Sequence, residues 1–286
     1  MNLFNKATGM LVIEVIMSNP NGDPDRESDP RLLPDGRVAI SDVSLKRKVR
    51  DLIDTKEGAV WRRVAGMFEP KLDPDRHHIL ETRGRDRSQI EQELKDGHFT
   101  SKYWDARVFG CTFLEEAKGE YRDQPIRTGV IQIGTGISIS RGEVSRWTNT
   151  NKAGVQAGKD RGMAPMGFRV VEHAVFTMPF FINPTAAVHS GADPQDVEVF
   201  SKVLPFAYSH TASRLRSQVH IRHAWYAEHK SPVGSVSETK LLAALVPVRK
   251  GEDALAASKS WDDYDVPEKL PEELLDKLES FRDLTE

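Results

Sequence analysis

Segments with the periodicity of strands and of helices follow one another in a fixed order, and this order limits the folds available to the chain. Apolar residues at every second position, or a short β-branched run, indicate a strand, whereas apolar residues three and four apart indicate a helix. Strand patterns occupy residues 10–17, 128–140, 168–182 and 219–229. Helix patterns occupy residues 43–54 and 193–210. The order strand, helix, strand, strand, helix, strand predicts an α+β fold with a ferredoxin-like or RRM-like βαββαβ core.

The loop between the first strand and the first helix is rich in residues that fix turns. Its sequence, NPNGDPD at residues 19–25, contains two prolines, one glycine and four Asn or Asp residues. Proline restricts φ, glycine allows positive φ, and Asn and Asp side chains bind nearby backbone groups. We therefore predict an ordered loop.

The first helix carries four basic residues within five positions. We expect Asp42 to be its N-cap, since it stands just before the apolar-periodic run. At 100° per residue, Lys46, Arg47 and Arg50 share one side, while Lys48 points the other way. The nearby acidic residues leave this charge largely uncompensated, which predicts a phosphate chain as partner. A solvated charged face is the alternative.

These motifs also carry a family resemblance. NPNGDPD, then Pro30 and Arg31, then SDVSLKRKVR resembles the signature of the Cas7 family of the RAMP superfamily, the backbone subunits of type I CRISPR Cascade complexes, with the type I-C and I-B branches most similar. The resemblance covers most of residues 8–250. It implies a hand-like molecule with palm, fingers and thumb, and a non-catalytic subunit without a cofactor. Such a subunit would form a helical filament with its own copies along CRISPR RNA, contact other Cascade subunits, and present the guide for pairing with target DNA.

The basic helix and the resemblance together give a set of candidate RNA-binding residues. Arg107 enters this set because DARVFG resembles a family segment, although pairing with Asp105 or Glu115 is an equally good interpretation. Met163 and Met166 enter it because unbranched, deformable apolar side chains suit a wedge between bases. The full set is Asn19, Asn21, Arg31, Lys46, Arg47, Arg50, Arg107, Met163, Met166, Arg169 and Arg214.

The sequence also indicates how the chain is divided. We expect one RRM-like RAMP domain over residues 1–250, with insertions at about 55–124 and 141–167. In the family, the second insertion is the thumb; a disordered surface loop is the alternative. Residues 251–286 form an acidic extension, expected to be partly helical with a helix from about 271 to 283.

Net charge is unevenly distributed along the chain. The extension from Gly251 contains 12 acidic and 4 basic residues, so the formal charge of −3 conceals a mildly basic body. A basic body is what a nucleic-acid partner requires. With no apolar run of 18 residues, we expect a cytoplasmic protein that does not contact membranes.

Enzymatic and metal-dependent functions find less support in the sequence. Asp23 and Asp25 could bind Mg²⁺ and cut target RNA, as a loop aspartate does in related type III subunits, so a metal-dependent RNase is the alternative function. Aspartates in a turn rich in Pro and Gly are more often structural. His220 and His223 would point to opposite faces of a strand, which argues against a shared metal ion. We therefore predict no enzymatic activity and no metal site.

Overall fold

The structure is a computed structural model, and it describes residues 4–82, 86–111, 128–152 and 163–286. For residues 87, 149–152 and 163–166 it describes the backbone alone.

The described residues form one large antiparallel sheet, one two-stranded sheet and a set of mostly short helices. The strands are β1 (Ala7–Ser18), β2 (Gly22–Asp23), β3 (Asp29–Leu32), β4 (Arg37–Ile40), β5 (Ile131–Ile133), β6 (Gly136–Arg141), β7 (Val144–Lys152), β8 (Met163–Ile182), β9 (Val219–His229), β10 (Val248–Arg249), β11 (Tyr264–Asp265) and β12 (Leu278–Asp283). The helices are α1 (Asp42–Asp54), α2 (Ala59–Ala65), α3 (Arg87–Lys95), α4 (Phe99–Lys102), α5 (Trp104–Phe109), α6 (Ala187–Ser190), α7 (Pro194–Val203), α8 (Glu238–Leu245) and α9 (Glu272–Leu275). The result is a mixed α/β molecule, as the sequence predicts.

The large sheet is organised around β1. Its strand order is β12-β9-β1-β8-β6-β4-β3-β2, and β5 and β7 pair with further parts of the long strand β8. β1 pairs with β8 from Ala7 opposite Ile182 to Ser18 opposite Val171, and with β9 on its other edge. A strand paired on both edges and covered on both faces reads as a continuous apolar run, which explains the sequence MLVIEVIM.

The strand predicted for residues 128–140 is divided into β5 and β6 by a close approach of two backbones. Gly134 donates a hydrogen bond from its N–H to the carbonyl of Pro179 (2.8 Å). A Cβ at Gly134 would lie 2.9 Å from Pro179 Cγ, so a larger residue would push the strands apart.

Helices α1 and α7 cover one face of the large sheet. Leu45, Val49 and Ile53 of α1 are fully buried in the main apolar core. Helix α7 begins as predicted, with Asp193 as N-cap and Pro194 as its first residue, but it ends at Val203 instead of 210. A short 3-10 turn follows it. Pro205 lacks the N–H that would continue the α-helical pattern, which accounts for the early end.

The opposite face of the sheet is covered by α8 and the acidic C-terminal region. Met10 and Val12 of β1 pack there in a second apolar cluster with Tyr264, Leu270 and other residues. The helix predicted for 271–283 is wrong beyond its first turn: it ends at Leu275, and the remainder is β12, the edge strand beside β9. Pairing with an open sheet edge satisfies its backbone groups and overrides the local helix preference.

The segment that follows α1 contains α2 to α5 and a small third cluster of buried residues. Its first two helices in the chain, α2 and α3, have the sequences AVWRRVA and RSQIEQELK. Residues 83–85 and 112–124 of the predicted insertion lie outside the described residues.

The predicted second insertion contains a long two-stranded hairpin. β7 pairs with the first half of β8 in continuous register, from Val144 opposite Val171 to Lys152 opposite Met163. Residues 153–162 between the two strands lie outside the described residues. Because β8 is also a central strand of the large sheet, the hairpin is a continuous extension of that sheet.

Candidate nucleic-acid interface

Two asparagine side chains fix the turn-rich loop after β1. Asn21 Oδ1 accepts hydrogen bonds from the backbone N–H (2.8 Å) and hydroxyl (2.6 Å) of Ser41. Asn19 Nδ2 donates to the carbonyl of Ser28 (2.8 Å), and the Asn19 N–H donates to the carbonyl of Leu215 (2.6 Å). The loop is ordered, as predicted, and is held against the start of α1 and the segment before β9. RNA contacts by the two asparagines remain a prediction.

Asp23 has a local structural role in the same loop. Its carboxylate accepts a hydrogen bond from the Asp25 N–H (3.2 Å) and caps the short 3-10 turn of residues 24–26. Asp25 itself is exposed. The two aspartates therefore behave as turn residues do.

The N-cap of α1 is Ser41, and the predicted cap, Asp42, is the first helical residue. Ser41 has extended backbone angles, and its hydroxyl accepts a hydrogen bond from the Ser44 N–H (3.3 Å). Asp42 is instead free to form an ion pair with Lys46 one turn later (2.9 Å). Ser and Asp are almost equally good caps, so the sequence alone does not separate them.

The positive charge of α1 is compensated, contrary to the prediction. Lys46 pairs with Asp42, and Arg47 pairs with Asp51 (2.7 Å). Arg47 and Asp51 are both about half exposed, and ion pairs of this kind contribute only about 0 to 1 kcal/mol to stability. A phosphate could therefore replace the carboxylate at Arg47 at little cost.

Arg50 lies inside the molecule. Its residue is 4% exposed, and its Nε donates to Asp105 Oδ2 (2.9 Å) across the contact between α1 and α5. The second carboxylate oxygen of Asp105 accepts from the Leu80 N–H (2.6 Å). Arg50 is thus a buried packing residue, and we remove it from the candidate RNA-binding set.

Arg107 is buried too, and its carboxylate partner among the described residues is Asp196 and not Asp105, while Glu115 lies outside the described residues. Its Nε and Nη2 donate to the two carboxylate oxygens of Asp196 at 2.9 Å and 2.7 Å. Its remaining N–H groups donate to three backbone carbonyls, those of Thr100, Ser101 and Arg76. Such complete use of the guanidinium leaves no group for a phosphate, so Arg107 also leaves the candidate set.

The base of the hairpin carries a stack of two aromatic rings and a guanidinium. Trp147 and Phe168 face each other across β7 and β8, with ring centroids 5.4 Å apart and planes inclined by only 12°. The guanidinium of Arg214 lies over the Phe168 ring, 4.9 Å from its centroid. Trp147 remains 39% exposed. An exposed aromatic face beside a cation is suited to stacking a nucleobase.

Ion pairs join this hairpin to the turn-rich loop. Arg146 pairs with Asp29 (2.7 Å), and Arg169 pairs with Glu27 and with Asp29 (3.3 Å). The hydrogen bond from Arg146 lowers the pKa of the Asp29 carboxyl, and the positive charge of Arg169 lowers it further. We call this joined area the loop–hairpin surface. It comprises residues 19–31, Arg146, Trp147, Phe168, Arg169 and Arg214.

Three further candidates lie along the same elements. Arg31 is on β3, and its Nε is buried without a hydrogen-bond partner among the described residues. Met163 and Met166 are in the first half of β8, opposite Lys152 and Asn149, and only their backbone is described. Their role as a wedge remains a prediction.

Sequence reasoning missed Arg146, Trp147 and Phe168. Arg146 and Trp147 lie in the predicted second insertion, and Phe168 is the first residue of the strand predicted to follow it. Only the pairing of β7 with β8 brings them together, and the sequence alone does not show this pairing.

Two further features concern metals and membranes. Within the described ranges, no three His, Cys, Asp or Glu side chains are grouped as metal ligands would be. His223 forms a hydrogen bond with Asp283 (2.7 Å), and the buried His229 forms one with Thr8 (3.0 Å). None of the helices in the described residues has the length and hydrophobicity that a membrane span requires.

Comparison with protein families gives one match. The model for the family described as CRISPR-associated protein Cas7 matches residues 5–268, more than nine-tenths of the chain. Comparison with curated proteins found no match.

Three solved structures are similar to this chain at low sequence identity. One, "CRISPR RNA-guided surveillance complex, pre-nicking", has a TM-score of 0.48 and 14% identity, with 78% of each chain covered. A second, "CRISPR RNA-guided surveillance complex", has a TM-score of 0.37 and 14% identity, covering 76% of this chain and 68% of the other. A third, "Cryo-EM structure of the Type III-B Cmr-beta bound to cognate target RNA", has a TM-score of 0.42 and 11% identity, covering 77% and 60%.

Proposed function

The chain belongs to the Cas7 family of CRISPR-associated proteins, and from this premise we propose that it is the CRISPR RNA-binding backbone subunit of a type I Cascade-like complex in antiviral defence. Several copies would assemble head to tail along one CRISPR RNA and hold its guide for pairing with target DNA. Other Cascade subunits would bind the ends of this assembly. The type I-C-like subtype follows from the motif NPNGDPD and its neighbours.

The observation that carries this proposal is the loop–hairpin surface. It brings a rigid loop, exposed or half-exposed arginines and a stacked aromatic pair into direct contact. Arginines bind the phosphates of the RNA backbone whatever the RNA sequence, and an aromatic ring stacks on any base. This combination suits a subunit that must hold every guide sequence and leave specificity to base pairing.

The covered face of the large sheet also supports RNA binding at the loop–hairpin surface. RRM domains bind RNA on the open face of their sheet through exposed aromatic residues. Here that face is buried beneath α8 and the C-terminal region, in the cluster that contains Met10 and Leu270. RNA must therefore be bound by loops, the hairpin and α1.

We also propose that the core is ferredoxin-like, with the hairpin as the thumb. The central strands have the order β9-β1-β8-β6, which numbers them 4-1-3-2 along the chain, and α1 and α7 provide the two crossovers. All of these neighbours are antiparallel. This is the order expected of a βαββαβ unit.

The subunit is proposed to be non-catalytic. The carboxylate of Asp23 is occupied in capping a turn, and no described group of acidic residues is arranged around a common point. RNA incubated with the protein and Mg²⁺ should therefore remain intact. Cleavage that disappears in an Asp25→Asn variant would replace the backbone proposal with the RNase alternative.

The test of the interface compares two arginines in the same local setting. Arg214 and Arg282 each lie over an aromatic ring, 4.9 Å from its centroid, but Arg282 is on the edge strand β12, at the opposite end of the sheet from β2 and β3. We expect Arg214→Ala to weaken binding of single-stranded RNA about 5- to 10-fold, and to reduce the salt dependence by roughly one phosphate contact.

Arg282→Ala is the control and should leave RNA affinity unchanged. Both variants should keep the thermal midpoint of the wild type to within a few degrees, since each loses a similar exposed contact. Equal effects of the two substitutions on RNA affinity would contradict the proposed location of the interface. Dissociation constants from fluorescence anisotropy at two salt concentrations give the required comparison.

A further inference from the structure

Lys48 is a buried cation with no carboxylate partner among the described residues. The residue is 4% exposed, and its Nζ donates one hydrogen bond, to the hydroxyl of Thr211 (3.1 Å). By contrast, Lys46, Arg47 and Arg50 on the same helix each pair with an acidic side chain. Removal of a charge from water without a counter-charge is costly, so buried lysines are normally paired.

The groups around Lys48 do not supply the missing negative charge. Its ammonium lies 5.1 Å from the centroid of the Tyr208 ring, and the positive Arg216 lies close enough to oppose it. Asp51, on the same helix, attracts it weakly, but the carboxylate of Asp51 is bound to Arg47. Burial and the charge of Arg216 together lower the pKa of Lys48 to about 8, in spite of Asp51.

Two other groups at this place lack partners. The hydroxyl of Tyr208 is buried, in a residue 3% exposed, and has no hydrogen-bond partner among the described residues. Arg216 is exposed and forms no ion pair with any described residue. A single anion bound here would reduce the electrostatic repulsion between the two cations. It would also accept hydrogen bonds from their free N–H groups and from the Tyr208 hydroxyl.

We propose that Lys48 and Arg216, with the hydroxyl of Tyr208, bind one phosphate group of the RNA backbone. Arg216 forms the open side of this site and Lys48 its inner side. The proposal rests on the RNA-binding function proposed above. It places a phosphate contact on the side of α1 that carries Lys48, whereas the sequence predicts phosphate contacts on the side of Lys46, Arg47 and Arg50.

The position of the site along the chain supports an RNA phosphate as its occupant. The segment 208–216 also contains Arg214 and Leu215. The guanidinium of Arg214 lies over the Phe168 ring, and the carbonyl of Leu215 accepts a hydrogen bond from the Asn19 N–H. The site therefore adjoins the loop–hairpin surface. An RNA strand that stacks a base on the exposed ring of Trp147, which packs against Phe168, would have phosphates near the neighbouring residues.

A second buried lysine provides a matched control. Lys56, just after α1, also has its pKa lowered to about 8 by burial. Its Nζ is satisfied by the carbonyls of Ile53 (2.8 Å) and His77 (2.6 Å) and lies 3.8 Å from the centroid of the Trp61 ring. Lys56 is thus a structural lysine, whereas Lys48 has the features of a binding residue.

The experiment measures RNA affinity and thermal stability for Lys48→Met, Arg216→Gln and Lys56→Met. We expect Lys48→Met to weaken binding of single-stranded RNA about 10-fold, and to keep or raise the thermal midpoint measured without RNA, because it removes an unpaired buried charge. Arg216→Gln should weaken RNA binding without a change in stability. Lys56→Met should lower the thermal midpoint and leave RNA affinity unchanged.

The pH dependence of binding gives a second readout. A phosphate favours the charged form of Lys48, so RNA affinity of the wild type should fall between about pH 7 and pH 9, across the pKa of the unbound protein. Lys48→Met should show a smaller decrease over this range. The charged and titratable groups nearby are Arg216, Asp51 and Tyr208, and burial raises the pKa of Tyr208, which keeps it uncharged here.

The outcomes separate this inference from the proposed function. If Lys48→Met lowers the thermal midpoint as Lys56→Met does and leaves RNA affinity unchanged, Lys48 is structural and the inference is wrong, while RNA binding by the wild type still stands. If the wild type binds no RNA but inorganic phosphate protects it from thermal unfolding and fails to protect Lys48→Met, the phosphate site is retained and the proposed RNA function fails.

Discussion

Basic side chains of this protein fall into two groups, which the structure separates by what surrounds each guanidinium or ammonium. Arg50 and Arg107 are buried and bound to carboxylates that are themselves buried. Arg146, Arg169 and Arg214 lie at the surface, where the hairpin meets the loop. The first group stabilises the fold, and the second is able to exchange its partners for phosphates.

The buried pair of Arg107 and Asp196 gives a prediction about stability. Arg107→Ala leaves a buried carboxylate without its partner, and we expect it to lower the free energy of unfolding by about 3–5 kcal/mol. Urea unfolding followed by circular dichroism measures this change. Arg214→Ala, which removes an exposed guanidinium, serves as the comparison and should change the free energy of unfolding by about 0.5 kcal/mol or less. An equally small effect of Arg107→Ala would contradict its structural role.

These residues also show the limit of a sequence-based prediction. Arg50 and Asp105 are 55 positions apart, and Arg107 and Asp196 are 89 apart. Local periodicity reports which side of a helix a residue occupies, but not what packs against that side. For this reason the sequence predicted an exposed basic face where the structure has ion pairs, and it left Lys48, on the other side of the helix, out of the candidate RNA-binding set.

At the scale of elements, the C-terminal strand β12 completes the sheet at the edge of β9. Asp283 fixes this contact: its carboxylate forms a hydrogen bond with the His223 ring (2.7 Å) and accepts one from the Ala224 N–H (2.9 Å). Burial raises the pKa of Asp283, but these hydrogen bonds outweigh it and lower the pKa to about 2.

The lowered pKa of Asp283 predicts a loss of stability in acid. A carboxyl whose folded pKa is depressed stabilises the protein above its unfolded pKa of about 4, and this contribution is lost as the pH falls towards about 2. We expect about 1–2 kcal/mol at neutral pH. Asp283→Asn should therefore lower the free energy of unfolding at pH 7 by about this amount and have little effect near pH 2. A difference from the wild type that is the same at both pH values would contradict this account.

The elements differ in how well they could be predicted. β1, β9 and α1 were predicted close to their bounds because their apolar residues keep one period along a buried face. β8 was predicted only from Phe168 onward, and its first five residues were assigned to the second insertion. The helix expected for 271–283 was wrong because its charged and Leu-rich composition favours a helix locally. The open edge of β9, nearly 50 residues earlier in the chain, decides the conformation of 278–283 instead.

At the scale of the whole molecule, the two faces of the sheet have different coverings. α1 and α7 pack on one face, and the C-terminal region, with its net charge of −8, packs on the other. We propose that RNA binds at the loop–hairpin surface and at the adjoining site of Lys48. A negative covering over the sheet face would repel a phosphate chain, which directs RNA to the positive residues outside it.

The central claim is that copies of this chain assemble along a single RNA. Mass photometry of the purified protein with single-stranded RNAs of increasing length tests it most directly. The account predicts that the number of protein copies per RNA rises in single steps, with a constant number of nucleotides per added copy. One copy per RNA at every length, or a protein mass that does not change when RNA is added, would contradict it.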